Sequence, residues 1–336
     1  MRKFSQVFVA ASVLLAFGFS GRAPAQSLDE LHKAAVNEGG TLNFYSTLAQ
    51  VNADKILPVF EKRFSGIKIN QIDATSDKLL SRAIAEARGG QTLGDVFQIS
   101  LPNLSNAYDQ GLLAHVEIPE SAAYPAELKG QFWTASDIQY FIAAWNTNLV
   151  EKDKEPKSYD DFLHPRWKGR LMADPTDAEM LLAFAKYRFK SDDEAIGYWK
   201  KIAAQNVEFH KGHSQLAELL VAGQGAACLT CYSHHYPARM KKGAPVNYML
   251  TEGVGEINGT AIFKNAPHPK TALLFARWMS SELGQKVMSE GGRTPAHPKV
   301  EPVEKTRPEK RYFIGVADIK NLPKYEKIWR NIFNLR

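Results

Sequence analysis

Cysteine is nearly missing: 336 residues contain two, Cys228 and Cys231. That excludes a disulfide framework as the basis of the fold, so stability must come from packing. Long apolar runs are also missing. The run from Val7 to Phe19 is too short to cross a bilayer at roughly 20 residues per span, and no later stretch approaches that length. No cysteine stands just after this run at the expected cleavage site, so a lipid anchor there is unsupported. Neither sign of charge dominates: 42 basic residues face 36 acidic ones, for a formal charge of +6. The densest charged cluster, Glu304 to Arg311, alternates sign, so no nucleic-acid footprint or polybasic membrane patch is indicated. There is no G-x-S-x-G elbow, no G-x-x-x-x-G-K-[ST] loop, no H-E-x-x-H helix, and no repeat or heptad.

What is present begins with a leader. Arg2 and Lys3 precede the apolar run, and Ala23-Pro24-Ala25 supplies the small residues a signal peptidase reads. Residues 1–25 are therefore expected to be removed, with Gln26 as the mature N-terminus and the periplasm as the destination. Arg2, Lys3 and Arg22 account for three of the six net charges, leaving +3 on the mature chain. About 310 residues then remain, enough for two domains of ordinary size.

The mature chain alternates helix and strand. Ser27-Leu28-Asp29-Glu30 is a capping box opening a helix that Gly39-Gly40 close. Strands follow at Leu42 to Ser46, Ile67 to Ile72 and Asp95 to Ile99, with helices at Ala53 to Arg63 and Lys78 to Ala87 between them. A second series starts with a β-prone run at Tyr140 to Trp145. Strands at Arg170 to Ala173, Val207 to His210 and Ala226 to Cys231 then interleave with helices at Ala178 to Arg188, Asp193 to Ala204 and Gln215 to Val221. Gly259 to Phe263 reads as a further strand, and Pro269 to Ser289 as one long amphipathic helix. This is the pattern of two α/β domains in tandem, each a parallel sheet covered by helices.

In such sheets ligands bind beyond the carboxyl ends of strands, which makes the strand-to-helix corners the candidate site. Tyr45-Ser46-Thr47 ends the first strand and Ser100-Leu101-Pro102-Asn103 the third; Ser46, Thr47 and Ser100 offer hydroxyls there. Asp174-Pro175-Thr176-Asp177 is a third corner, where Thr176 or Asp177 can either cap the next helix or meet a ligand. The fourth is richest in polar rings: Tyr232, His234, His235 and Tyr236 precede Pro237. Phenol and imidazole together suit a transition metal, and a helix N-terminus suits an anion; the bland alternative is that the rings pack locally. Cys228-Leu229-Thr230-Cys231 has C-x-x-C spacing but lies in an expected strand. Residues three apart there point to opposite faces with Cα atoms roughly 10 Å apart, beyond the ~7 Å reach of a disulfide, so buried free thiols are expected.

Several stretches, by their order and spacing, resemble the solute-binding proteins of ABC importers, in the extracellular family that includes the ferric-iron-binding proteins. They are Thr41-Leu42-Asn43-Phe44-Tyr45-Ser46, Val59 to Ile69, Gly94-Asp95-Val96-Phe97, Trp145-Asn146-Thr147, Pro165 to Arg170, and Asn258-Gly259-Thr260-Ala261-Ile262. The resemblance implies an α/β, two-lobed periplasmic-binding-protein type II fold, each lobe a sheet flanked by helices and joined by two hinge strands. Residues 26–138 and 258–336 would form lobe 1 and 139–257 lobe 2. It implies a monomer that is not an enzyme, closes on a solute, and docks to an inner-membrane permease, with no nucleic acid as partner.

The family's iron binders place paired tyrosines where this chain has His235 and Tyr236. A histidine after the first strand and an acid after the third give way to Leu48-Ala49-Gln50 and Ser100, and the anion-holding arginine is replaced near Gln139 to Phe141. A polar organic or anionic solute, held by Ser46, Thr47, Ser100, Thr176, Asp177, Tyr232, His235 and Tyr236, is therefore the expected ligand. The alternative is Fe³⁺ on Tyr236, His235 and Tyr232; no cofactor is otherwise expected. A rival from another class is an enzyme with Cys231 as nucleophile beside His234 or His235.

Overall fold

The computed structural model describes residues 26–335. The expected leader and its cleavage point after Ala25 lie outside the described residues. Helix α1 (Leu28–Asn37) starts on the expected capping box, with the Glu30 backbone N–H donating to Ser27 Oγ at 3.2 Å and the Ser27 N–H donating to Glu30 Oε2 at 2.9 Å. It ends at Gly39 and Gly40. Gly40 has φ +60°, and a Cβ there would lie 2.0 Å from the Gly66 carbonyl oxygen, so only glycine fits.

The alternation continues through β1 (Thr41–Ser46), α2 (Gln50–Arg63), β2 (Lys68–Asp73), α3 (Ser76–Arg88), β3 (Val96–Ser100) and α4 (Leu101–Asp109). A long strand, β4 (Thr134–Asn146), then leads to β5 (Leu171–Ala173), α5 (Ala178–Ala183), α6 (Asp192–Ala203), β6 (Glu208–Phe209), α7 (His213–Val221) and β7 (Ala227–Tyr232). The helix expected over 178–188 is α5 followed by a wider π turn at Phe184–Arg188. The last third comprises α8 (Pro237–Lys241), β8 (Val246–Tyr248), β9 (Glu252–Ile262), α9 (Pro269–Ser280), α10 (Glu282–Glu290), β10 (Lys310–Phe313), α11 (Val316–Ile319) and α12 (Leu322–Phe333).

Two expectations need correction. The single helix over 269–289 is two, because Ser281 adopts ψ 158° and its Oγ accepts from the Gly284 N–H at 3.1 Å, capping a new helix. The cysteines are not free thiols: Cys228 and Cys231 form a disulfide with Cα atoms 5.8 Å apart. Strand β7 is not regular where the disulfide forms. Opposite it on β4, Ile142 pairs with Cys231 and Ala144 with Cys228, so two residues of β7, Leu229 and Thr230, oppose Ala143 alone. That bulge turns both cysteines to one face.

The strands run in the order β2-β1-β3-β9-β4-β7-β5-β6, with β10 beside β9 and β8 beside β4. On one flank β2, β1 and β3 are parallel, on the other β7, β5 and β6 are parallel, and β4 and β9 pair antiparallel between them. The long strands therefore connect two α/β halves, and positions 138/139 and 257/258 fall inside them. One half packs Phe44, Phe60, Phe275 and Trp278 together. The other centres on Phe184, Trp199 and Trp329, with Trp199 and Trp329 ring centres 4.9 Å apart. Trp329 belongs to α12, so this C-terminal helix packs on α5 and α6 of the second half, not on the first.

Candidate functional site: a basic cleft with a wall of stacked rings

A cavity of about 700 Å³ opens between the halves. The first half contributes Thr47, Asn52 and Lys55 around the start of α2, together with Gly291-Gly292-Arg293 after α10. The second contributes His213 from the start of α7, Tyr232 from the end of β7, and His234, His235 and Arg239 beyond it. Gln139 of the connecting strand β4 lines the cavity between them.

The second-half wall is a ladder of rings. His213 stacks on Tyr232 with centroids 3.9 Å apart, Tyr232 on His234 at 5.5 Å, and His234 meets His235 edge-on at 4.4 Å. Phe141 backs His213 and Tyr232 at 5.5 and 4.9 Å. Carboxylates lie behind the rings. His213 Nε2 is 3.2 Å from Asp177 Oδ2, and the Tyr232 hydroxyl donates to Glu256.

This arrangement fixes the protonation states. Burial alone would lower the His213 pKa, but Asp177 beside it overrides that and raises it to about 9, so His213 is an imidazolium at neutral pH. Burial, reinforced by the Arg239 charge, lowers His235 to about 3, and burial next to His235 holds His234 well below the usual range. Both are neutral rings. Burial, with Glu256 and Asp177 adding to it, raises Glu179 to about 8, and burial also raises Glu256. Tyr232 is pushed well above its usual value by burial and then by Glu256, so its phenol keeps its proton.

The upward shifts of His213 and Glu179 act on stability in one direction across pH 6.5 to 9. His213, raised from 6.5, contributes stability that is full below about pH 6.5 and lost as pH rises through about 9. Glu179, raised from 4.5, keeps its proton in the native state up to about pH 8, so stability again falls as pH rises from 4.5 to 8. The protein should therefore unfold at lower urea concentration at pH 9 than at pH 6, and His213→Gln should flatten the profile between pH 6.5 and 9. An unchanged or rising urea midpoint across that range would contradict these assignments.

Of the residues expected from sequence, Thr47, Tyr232 and His235 line the cavity. The Thr47 Oγ1 and His235 Nδ1 atoms are buried without a protein partner. Asp177 stands behind His213 and reaches the cavity only through it. The others are elsewhere. Ser46 is fully buried and its Oγ accepts from Gln71 at 2.8 Å. Ser100 precedes α4 and accepts from Asn103 at 3.0 Å. Thr176 donates to Asp174 Oδ1 at 2.6 Å and faces a separate groove of about 630 Å³ beside Trp329 and Arg330. Tyr236 is in the core, 0% exposed, its ring stacked on Tyr248 at 5.6 Å and its hydroxyl without a partner.

Sequence reasoning missed His213, Arg239, Arg293 and Lys55. His213 follows Gly212 at a strand-to-helix corner of the kind already searched, so that signal was available. Arg293 follows two glycines, but only the fold brings it to the cleft. There its Nε donates to Asp137 Oδ2 at 3.0 Å. Arg239 donates to the His235 carbonyl at 2.6 Å and to Glu218 at 3.2 Å.

Lys55, Arg239, Arg293 and the His213 imidazolium face the cavity, against Glu290 and Glu304, and Glu304 is tied to Lys241. Three of these cations are already paired, Arg239 with Glu218, Arg293 with Asp137 and His213 with Asp177, so the cleft offers an anion hydrogen-bond donors and the Lys55 ammonium rather than a large net positive field. Among the described residues one group of three potential ligands comes within metal-binding spacing, Asp174, Asp177 and His213. Both oxygens of Asp174 are already engaged, by Thr176 and by the Gly212 N–H at 2.6 Å. Cys231 is fully buried and bonded to Cys228, which removes it as a nucleophile.

The chain belongs to the bacterial extracellular solute-binding protein family, whose model matches residues 55–311. It is 24% identical over 307 residues to iron uptake protein A1 of Synechocystis, covering 84% of this chain and 81% of that protein. Its structure is similar to that of iron-bound HitA from Pseudomonas aeruginosa, with a TM-score of 0.72, 21% identity and coverage of 87% of this chain and 99% of that one. It is equally similar to AfuA from Actinobacillus pleuropneumoniae with fructose-6-phosphate bound, at a TM-score of 0.70, 22% identity, and 88% and 99% coverage. The architecture is thus the two-lobed type II periplasmic-binding fold, and the protein is an extracellular solute-binding protein.

Proposed function

We propose that this protein captures a small organic anion, of the size and charge of a phosphorylated or carboxylated sugar, and delivers it to a permease of the inner membrane after export to the periplasm. The observation that carries this is the protonation state of the cleft: cationic His213, Arg239, Arg293 and Lys55 alongside two neutral imidazoles, with no free phenolate. Ferric iron needs hard, deprotonated oxygen ligands. Here Tyr232 gives its hydroxyl proton to a hydrogen bond with Glu256, and Tyr236 faces away from the cleft. A cavity of about 700 Å³ also suits a molecule better than a lone ion. Closure would bend β4 and β9, with residues 26–138 and much of 258–300 moving as one lobe and 139–257 as the other. The packing of α12 on α5 and α6 favours the C-terminal helices moving with the second lobe.

A ligand held between lobes binds only the native state and stabilises it by about 2.7 kcal/mol at a hundredfold excess over Kd. A thermal-shift screen of sugar phosphates, phosphonates, small carboxylates and ferric citrate should raise the transition by several degrees for at least one organic anion. Ferric citrate should give no visible phenolate absorption. A coloured ferric complex, with no organic anion active at millimolar concentration, would establish the iron reading instead.

A further inference from the structure

In a regular strand side chains alternate faces, so Cys228 and Thr230 would share one face with Tyr232, while Leu229 and Cys231 took the other. The structure departs from this in the middle of β7. Ala227, Leu229 and Tyr232 pack with one cluster, alongside Phe141 and Ala143 of β4. Cys228 and Cys231 pack with the opposite one, alongside Ile142 and Ala144. Thr230 stays on the Leu229 side, its Oγ1 accepting from the Asp174 N–H at 3.1 Å. Leu229 and Thr230 thus occupy the same face opposite Ala143, and the alternation resumes one residue out of step.

A one-residue change of phase moves every following side chain to the other face. Without the bulge, Tyr232 would join the Cys228 face and leave His213, Phe141 and Glu256. With it, Tyr232 completes the cleft wall. Two cysteines three apart can be bridged only when both lie on one face at short range, as at 5.8 Å here. The covalent bond is therefore compatible with the bulged phase and incompatible with the regular one.

We infer that the Cys228–Cys231 disulfide is a phase lock: it holds the bulge in β7 and so positions Tyr232, and through it His213 and His234, in the solute cleft. Both cysteines are positioning residues, since neither lines the cleft. The functional consequence rests on the cleft reading proposed above, whereas the structural one does not.

The test uses Cys228→Ala/Cys231→Ala in the full mature chain and, as a second sample, the wild-type chain produced without its leader and kept under reductant. With ¹³C-labelled histidine, the His213 ring proton, assigned by its loss in His213→Gln, should show an upfield shift from the Tyr232 ring in the oxidised protein. That shift should be lost in whichever disulfide-free sample is folded by circular dichroism. Affinity for an anion found in the screen should fall at least tenfold in the same sample. If the upfield shift persists and only the melting temperature falls, the disulfide is a simple staple and the inference is wrong. It is equally wrong if neither disulfide-free sample folds, because the bond is then required for the fold rather than for the phase. Should no anion be found, the histidine shift alone decides, independently of the solute's identity.

Discussion

Asp137→Ala is expected to cost about 3–5 kcal/mol, because it removes one partner of a buried ion pair. The Asp137 side chain is fully buried on β4 and accepts from Arg293 Nε at 3.0 Å, Gln98 Nε2 at 2.7 Å, Ser136 Oγ at 3.1 Å and Asn258 Nδ2 at 3.3 Å. It gathers β3, β4, β9 and the segment after α10 onto one carboxylate. Truncation strands the Arg293 guanidinium, 8% exposed, without a counter-charge, and takes from the Asn258 amide its acceptor, while Ser136 keeps the Asn258 carbonyl at 3.0 Å and Gln98 keeps Ser136 Oγ at 3.3 Å. Urea unfolding should show a lower midpoint with an unchanged m value. A loss below about 1 kcal/mol would mean that water replaces the carboxylate and that the junction is looser than its geometry implies.

Binding should be hit hardest by His213→Gln combined with Arg239→Ala. Hydrogen bonds between a charged group and its partner contribute about 1.5–3 kcal/mol each, so removing two cations should weaken an anionic solute by a hundredfold or more. Titration calorimetry with the anion found by thermal shift is the measurement, and Tyr236→Phe is the control. The Tyr236 hydroxyl is buried without a partner and faces away from the cleft, so its removal should leave affinity unchanged and stability equal or slightly higher. An unchanged dissociation constant in the double variant would place the solute elsewhere. A large loss in Tyr236→Phe would restore the paired-tyrosine reading of this corner.

The alternation of helix and strand was legible because it is local. Ser27 and Glu30 cap α1 through side chains three residues apart, and Gly39-Gly40 mark its end as glycines commonly do just past a helix, although the close approach to Gly66 that demands glycine at position 40 appears only in the fold. The cleft was legible only in part. Thr47, Tyr232 and His235 could be found at strand ends, but whether Tyr236 faces the cleft or the core depends on the phase of the turn after β7. The phase at which β7 enters that turn includes the bulge opposite Ala143, a property of the pairing between β4 and β7. The same bulge defeated the distance argument against the disulfide, which assumed regular strand rise. Arg293 and Asp137 are 156 residues apart, and no local pattern joins them.

The pairing of β3 and β4 with β9 has a consequence for how the chain comes to its native state. Val96 of β3 lies opposite Ile262, and Thr134 of β4 opposite Thr260. The first half of the molecule therefore cannot complete its sheet until the last third of the polypeptide has been made. Until then β3 presents an unpaired edge, a surface prone to joining other chains. Contacts so distant in sequence close slowly. The sheet of the first half therefore closes late, after the strand that borders β3 and β4 has been synthesised.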